Sequence, residues 1–180
     1  MGTKLKLTYQ DYVLLPDDGK RYEILDGDLY VTPSPSAQHQ EVLLNLVLAL
    51  TQHVRAHRLG KVFAAPLDVI LADDSIAQPD ILFIVNERLQ IVREVVHGAP
   101  DLVVEILSPG TRDRDRTLKR HLYARDGVRE LWLVDPEART VEVFLLDPAS
   151  ETAPRAFGER DTLSSGVLPS PRLTLDPIWA

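Results

Sequence analysis

A short hydrophobic run with a carboxylate at its centre is the feature that most limits what this chain can fold into. In DLVVEILSP (residues 101–109), aliphatic residues surround Glu105, and a Ser-Pro pair closes the run. Such a continuous apolar run is typical of a strand that is buried on both faces of a sheet. An unpaired carboxylate there costs several kcal/mol, so the fold must bring a positive partner to Glu105.

The composition is that of one soluble domain. The chain has 180 residues, of which 44% are hydrophobic and 26% charged, so it is long enough to build a single core. It has no cysteine, which excludes disulfides, thiolate nucleophiles and cysteine-based metal sites. We find no signal-peptide pattern and no transmembrane segment, and we therefore expect a cytoplasmic protein with no membrane partner.

The order of the sequence patterns predicts strands and helices in one mixed arrangement. Two strand-like runs around Asp26-Gly27 predict an N-terminal hairpin. Apolar spacing predicts a helix from residue 37 that Gly60 ends, and a second helix over the basic segment that Gly127 ends. Further strands are expected at 61–65, 67–71, 78–85, 102–107, 130–135 and 140–146.

This order favours an α/β (α+β) fold in which a mixed β-sheet is flanked by helices. We find no internal repeat and no linker that would divide the chain, so residues 1–180 are expected to form a single domain. Its core would span about residues 8–146, and residues 147–180 would be a C-terminal extension. A last small hairpin is expected between about residues 163 and 175.

Two acidic residues occur in strand-like runs that are candidates for pairing. Asp80 follows Pro79 at the start of ILFIV, and Glu105 lies inside LVVEIL on one face with Val103 and Leu107. If the two strands are neighbours, alternation allows the carboxylates to converge. Two such carboxylates repel each other unless a proton or a cation lies between them, and hard oxygen ligands suit Mg²⁺ or Mn²⁺. The partner of Glu105 is then a divalent ion, a lysine or both.

A simpler interpretation of the same residues needs no metal. Asp80 can be a polar residue at a strand start, and Lys119 can neutralise Glu105 in a structural ion pair.

The segment TRDRDRTLKR is rich in arginine. A solvated helix with alternating charges is the bland interpretation, and contact with nucleic-acid phosphates is the functional one, which Asp113 and Asp115 weaken. The net charge of −7 argues against a whole surface that binds nucleic acid but not against a local basic face. The candidate phosphate contacts are Arg112, Arg114, Arg116 and Arg120.

Three stretches in order resemble a known family. They are YEILDGDLYVTPSPSAQHQ, QPDILFI and DLVVEILSPGTRDRDRTLKRHLYARDGVRELWLVDPEARTVEVF, and together they resemble the Uma-two family of bacterial restriction-endonuclease-like proteins. Pro79-Asp80 followed by Glu105-Ile106-Leu107 is similar to the PD-(D/E)XK motif of that nuclease superfamily. The likeness covers about residues 8–146 and also the tail LSSGVLPSPRLTL. It implies a restriction-endonuclease-like core.

The resemblance also implies roles for site residues. Asp80 and Glu105 match the residues that coordinate a catalytic Mg²⁺ (or Mn²⁺) in the superfamily. Leu107 stands where the motif normally has lysine, and Lys119 matches a lysine on the following helix that replaces it in this family. This departure puts the efficiency of catalysis in doubt.

Three further residues are candidates for the same site. Glu23, in YEILDG, matches an acidic residue of the family and is the first choice to complete the metal site. Glu41 occupies the place of a supporting glutamate, although a first-turn residue favoured by the helix dipole is an equal alternative. His39 matches a family histidine, for which a hydrogen-bonding or capping role is the simpler interpretation.

Three functions remain open at this point. The resemblance implies a Mg²⁺-dependent endonuclease that hydrolyses DNA phosphodiester bonds and acts as a homodimer or higher homo-oligomer. The alternative is a catalytically weak or inactive nuclease fold that binds nucleic acid or protein, which Leu107 and the acidic surface favour. An enzyme that acts on small phosphorylated metabolites is a third, weaker hypothesis.

Overall fold

The computed structural model describes residues 5–147, 153–169 and 173–180. The helical elements are α1 (Tyr9–Tyr12), α2 (Ala37–His57), a 3₁₀ turn (Asn86–Ile91), α3 (Arg112–Arg114), a π turn (Asp115–Lys119), α4 (Arg120–Asp126) and a second 3₁₀ turn (Asp176–Trp179). The strands are β1 (Arg21–Leu25), β2 (Asp28–Thr32), β3 (Gly60–Ala64), β4 (Val69–Ala72), β5 (Ser75–Ala77), β6 (Ile81–Val85), β7 (Val96–His97), β8 (Leu102–Ile106), β9 (Glu130–Asp135), β10 (Thr140–Leu145), β11 (Arg155–Phe157), β12 (Thr162–Leu163) and β13 (Leu173–Thr174).

The strands form two larger sheets and a small hairpin. The central sheet has the order β11-β10-β9-β8-β6-β3, in which β8 and β9 are parallel and the other pairs are antiparallel. The second sheet has the order β2-β1-β5-β4-β7 and begins with the N-terminal hairpin β1-β2. The predicted mixed sheet and N-terminal hairpin are therefore confirmed.

The two faces of the central sheet are covered by different helices. Val104 and Ile106 of β8 pack with residues of α2, such as Leu46, whereas Val103 of β8 packs with Leu122 of α4. Alternation explains this division, because successive side chains of a strand point to opposite faces. Glu105 therefore lies on the face that α4 covers.

The C-terminal residues pack into the same core as α2. Leu163, Leu168 and Ile178 are buried in the hydrophobic cluster that contains α2. The carboxylate of Glu130, in β9, accepts hydrogen bonds from Ser165 Oγ at 2.6 Å and from the backbone N–H of Gly166 at 2.5 Å. The small hairpin predicted near residues 163–175 is confirmed as the pair β12-β13. This packing favours the predicted single domain, which stays a prediction.

Gly60 does not end the first long helix, contrary to the prediction. That helix ends at His57, and Arg58 adopts the left-handed conformation with φ of 54°. Gly60 instead begins β3, where a Cβ atom would lie 2.0 Å from the carbonyl oxygen of Ile84. The glycine is required because the neighbouring strand β6 approaches the backbone this closely.

Replacing Gly60 with alanine is expected to lower the free energy of unfolding by at least about 2 kcal/mol, because either β3 or β6 must shift. Urea denaturation of the purified variant measures this change. Gly158→Ala is the matched control, since its Cβ would meet only Asp161 Oδ2 at 3.6 Å. Equal stability of the two variants would contradict the close approach of β3 and β6.

In the described part of the chain, no helix has both the length and the apolar character that a membrane crossing requires.

Candidate active site

The pairing of β6 with β8 places the two predicted metal ligands opposite each other. The strands are antiparallel neighbours with Ile81 facing Val104, and continuing this register places Asp80 opposite Glu105. The backbone N–H of Ile106 donates a hydrogen bond of 2.8 Å to Asp80 Oδ2. The sequence alone did not show whether the strands of Asp80 and Glu105 are neighbours, and this pairing confirms that they are.

Two donors from the following helix hold Glu105. Lys119 Nζ lies 3.0 Å from Glu105 Oε1, and the hydroxyl of Tyr123 donates to the same oxygen at 2.5 Å. Glu105 and Lys119 are both almost fully buried. Both donors contact Oε1, and Oε2 is the oxygen that they do not engage. The positive partner that a buried Glu105 requires is therefore Lys119.

Lys119 is shared among three carboxylates. Its Nζ lies 2.9 Å from Glu23 Oε1, in addition to Glu105, and 3.6 Å from Asp115 Oδ1. Burial opposes the charge, but the charges of these carboxylates outweigh burial and raise the pKa of Lys119 above its usual value. Lys119 therefore stays protonated and cannot act as a general base near neutral pH.

The carboxylates do not hold protons equally. Burial raises the pKa of Glu105 to about 8, against the charge of Lys119 and with help from nearby carboxylates. Burial also acts on Asp80, but hydrogen bonds from His39 and from the Ile106 N–H outweigh it and lower the pKa of Asp80. Asp80 is thus the ionised member of the opposed pair. In Glu105, burial disfavours the ionised form of the carboxyl group.

The buried acidic side chains outnumber the basic ones. Four carboxylates are buried together, and among the described residues two lysine or arginine side chains contact them, while the raised pKa of Glu105 reduces the negative charge that remains. The carboxylates are those of Glu23, Asp80, Glu105 and Asp115, and the cations are Lys119 and Arg114.

A divalent cation fits this set of donors. Carboxylate oxygens are the ligands that Mg²⁺ and Mn²⁺ prefer, and a cation offsets the negative charge that the basic side chains leave. Among the described residues, no three acidic or histidine side chains converge on one point to hold a metal. Mg²⁺ does not need such a cage, because it commonly binds through one or two carboxylates and keeps several waters. Asp80 and Glu105 are the pair that would serve.

These side chains form the floor of a cavity of about 230 Å³. Residues 32–36, the first cavity loop, and residues 108–111, the second cavity loop, are part of its wall. Arg21 and Arg114 also line it.

His39 lies in the same cavity, at the start of α2. Its backbone N–H donates to the Oγ of Ser36, the N-cap residue, and its Nε2 lies 3.3 Å from Asp80 Oδ2. Its Nδ1 is buried without a hydrogen-bond partner in the described part of the chain. His39 thus both takes part in the cap of α2 and contacts Asp80.

Glu41 does not reach this cavity. Its side chain is exposed and lines a smaller, separate cavity with Pro136 and Trp179. Glu41 lies two positions after His39 along α2, and residues two apart do not share a helix face. The structure therefore gives no support to Glu41 as a metal ligand, whereas Glu23 lies beside Lys119.

The four candidate arginines point in different directions. Arg114 lines the cavity, where it lies 3.6 Å from Glu23 Oε2. The other three face strands β9 and β10: Arg112 pairs with Asp135 at 3.1 Å, Arg116 with Glu142 at 2.5 Å, and Arg120 lies over the ring of Phe144 at 5.2 Å. Among the four, only Arg114 lines the cavity that holds the opposed carboxylates.

Sequence reasoning missed Asp115 and Tyr123 as site residues. With Lys119 between them, they follow each other at intervals of four, which places polar groups on the buried side of an amphipathic helix. The π turn from Asp115 to Lys119 carries two of the three, and single π turns are frequent at functional sites. The signal was present as polar residues on an otherwise apolar face.

Divalent cations are expected to stabilise the folded protein, because they bind the buried carboxylates only when the site is assembled. At about 100 times the dissociation constant, Mn²⁺ or Mg²⁺ would add roughly 2.7 kcal/mol and raise Tm. Differential scanning calorimetry measures the shift. Asp80→Asn should remove it, and Asp113→Asn, an exposed aspartate of the neighbouring helix, should keep it. An equal shift in both variants would place the cation elsewhere.

Comparison with known proteins agrees with this architecture. The structure superposes on the crystal structure of "a putative nuclease belonging to DUF820 from Anabaena variabilis ATCC 29413" with a TM-score of 0.82, 22% sequence identity, and coverage of 96% of this chain and 97% of that chain. The restriction-endonuclease-like fold class expected from the sequence is thereby confirmed. A comparison with curated proteins gives no match.

The family comparison covers nearly the whole chain. The model of the Uma2 family, described as "Putative restriction endonuclease", matches residues 9–176. This range includes β1, the opposed strands β6 and β8 and the helix with Lys119. The chain therefore belongs to the Uma2 family.

Proposed function

We propose that the protein is a Mg²⁺- or Mn²⁺-dependent endonuclease that hydrolyses DNA phosphodiester bonds. The observation that carries the proposal is the opposition of Asp80 and Glu105 on adjacent strands at the floor of one cavity. The membership of a family described as restriction endonucleases supports it. Asp80 and Glu105 would hold the divalent ion, which would supply Lewis-acid chemistry for phosphodiester hydrolysis.

The chain's own residues orient the two carboxylates. Tyr123 and Lys119 fix Oε1 of Glu105, while His39 and the Ile106 N–H fix Oδ2 of Asp80. Each carboxylate is thus held through one oxygen. Such preorganisation is what a site needs in order to stabilise developing charge without rearrangement.

The basic residues neutralise charge and do not abstract protons. Lys119, which stays protonated, offsets the negative charge of the carboxylates around it. Arg114 and Arg21 line the cavity and can donate paired hydrogen bonds to phosphate oxygens, as guanidinium groups commonly do. Arg21 is held in place by the side chain and the backbone carbonyl of Gln78, at 3.2 and 3.0 Å.

One observation favours the alternative of a binding module without efficient catalysis. Lys119 is fully engaged by Glu23 and Glu105, at 2.9 and 3.0 Å, and Leu107 occupies the usual lysine position of the motif. A lysine held in this way contacts a phosphate only if one of its carboxylate partners gives way to the substrate or the metal.

A cleavage assay separates the two functions. Supercoiled plasmid is incubated with the wild type and with Asp80→Asn, in Mg²⁺, in Mn²⁺ and in EDTA, and the products are resolved on agarose gels. The nuclease predicts nicking that requires the cation and is lost in the variant. Equal nicking by both proteins would contradict it, and DNA binding that persists in EDTA without nicking would favour the binding module.

The homodimer and the cytoplasmic location implied by the sequence stay predictions. Light scattering of the purified protein tests the first.

A further inference from the structure

We infer that the site acts on a strand of DNA that is unpaired, and that it contacts the backbone of that strand and not its bases. The inference rests on the proposed nuclease function and specifies its substrate. It is carried by the depth of the carboxylates, the close approach of the two cavity loops and the residues that line the cavity.

The opposed carboxylates lie below the surface of the protein. Asp80 is 6% exposed and Glu105 is 3% exposed, and the cavity above them holds about 230 Å³. Binding pockets for complete small ligands usually hold about 300–1,000 Å³. The space thus suits one phosphodiester with its sugar, and a phosphate must enter the recess to reach the carboxylates.

The two cavity loops approach each other closely. A methyl group placed on Gly110, in the second cavity loop, would lie 3.8 Å from Pro33 Cγ in the first, so the gap at this glycine holds little more than a methyl group. Pro33 and Pro35 also restrict the backbone of the first loop. The cavity is therefore bounded by two segments with a narrow gap between them.

A duplex is too stiff to bend locally so that one of its phosphates enters such a recess. Double-stranded DNA has a persistence length of about 50 nm, so the neighbouring phosphates and the second strand remain in line with the one that enters. A single strand bends freely at each nucleotide. Enzymes that need a recessed contact with duplex DNA must first unpair or extrude a nucleotide, which costs free energy.

The lining indicates which part of the strand is contacted. Small hydroxyl side chains, prolines and the two guanidinium groups of Arg21 and Arg114 dominate it, and none of the described residues that line it is Phe, Tyr or Trp. Proteins that hold the bases of single strands use such aromatic rings as stacking platforms. Hydroxyl and guanidinium donors instead suit phosphate oxygens. Cleavage should thus depend little on base sequence.

The test compares substrates of one sequence: a single strand, its complete duplex, and the same duplex with a central unpaired bubble. The wild type and Glu105→Gln are assayed in Mg²⁺ and Mn²⁺. We expect the single strand and the bubble to be cut at least about tenfold faster than the duplex, with cuts inside the unpaired stretch, because unpairing the duplex costs free energy. Changing the bases of the bubble should alter the rate less than about threefold.

Equal rates on the single strand and the duplex would overturn the inference and leave the nuclease function standing. If wild type and Glu105→Gln give the same background, the nuclease function fails, and fluorescence anisotropy in EDTA with the same three DNAs decides the inference by itself. Tighter binding of the single strand, by at least about tenfold, would keep it, and equal binding of strand and duplex would overturn it.

A loop variant tests the cause of the preference. Replacing Pro33 and Pro35 together with glycine removes the ring that faces Gly110 and loosens the first cavity loop. The ratio of single-strand to duplex cleavage should then fall by at least about threefold, since a looser entrance admits the duplex more readily. A ratio equal to that of the wild type would show that the loops do not set the preference, and would overturn the inference.

Discussion

Replacing Glu105 with glutamine is expected to lower metal-dependent DNA cleavage by at least about a hundredfold, the usual scale for removing one group that stabilises charge in a transition state. The same change should leave the free energy of unfolding unchanged or higher. The reason is that burial raises the pKa of Glu105 to about 8, so the fold already disfavours its anion, and glutamine supplies a neutral group of the same shape. Plasmid cleavage and urea denaturation measure the two effects.

The stability difference should also depend on pH in a defined direction. Between the ordinary pKa of 4.5 and the raised value of about 8, the folded protein binds a proton at Glu105 that the unfolded chain releases. The stability that this group contributes is complete at low pH and is lost as the pH rises through this window. The advantage of Glu105→Gln over the wild type should therefore grow from about pH 4.5 to about pH 8.

Glu142→Gln is the control for both experiments. Glu142 lies on β10, away from the cavity, and pairs with Arg116. Its replacement should change neither cleavage nor the pH dependence. Wild-type cleavage by Glu105→Gln would contradict the proposed metal site. A large loss of stability would instead show that Glu105 is an anion in the folded protein and that Lys119 neutralises it fully.

Replacing Lys119 with methionine is expected to lower the free energy of unfolding by about 3–5 kcal/mol, the usual cost of removing one partner of a buried ion pair. Methionine keeps the length of the side chain but leaves Glu23, Glu105 and Asp115 without their shared cation. Guanidinium chloride denaturation measures the loss. A divalent cation should restore part of it, because the remaining carboxylates then bind the ion more tightly.

Lys61→Met is the matched control, since Lys61 is exposed on β3 and its replacement should change stability by less than about 0.5 kcal/mol. Equal stability of the two variants would mean that protons, and not Lys119, neutralise the cluster in the folded protein.

Local periodicity was enough to predict much of this fold. The two-residue alternation of β8 predicted which sheet face Glu105 occupies, and the Asp26-Gly27 pair predicted the N-terminal hairpin. Both signals depend only on neighbouring residues. The pairing of Asp80 with Glu105 required one assumption, that their strands are neighbours, and β6-β8 pairing confirmed it.

The rest depended on contacts between distant segments. Strands β5 and β7, of three and two residues, are too short to carry a period. A glycine after an apolar helical pattern, as at Gly60, is typical of a helix C-cap. Only the position of the Ile84 carbonyl shows why the glycine is needed. The directions of Arg112 and Arg116 follow from acidic residues on β9 and β10, which the helix sequence does not contain.

The order in which the site residues appear along the chain has a consequence during synthesis. Glu23 and His39 leave the ribosome first, Asp80 and Glu105 later, and Lys119 and Tyr123 later still, while β9, which flanks β8, follows them. A growing chain that lacks β9 leaves β8 as an edge strand of the central sheet. The sheet around the opposed carboxylates is therefore complete only after β9 has been synthesised, and under the proposed function a partial chain that ends before β9 would not cut the DNA of the cell that makes it.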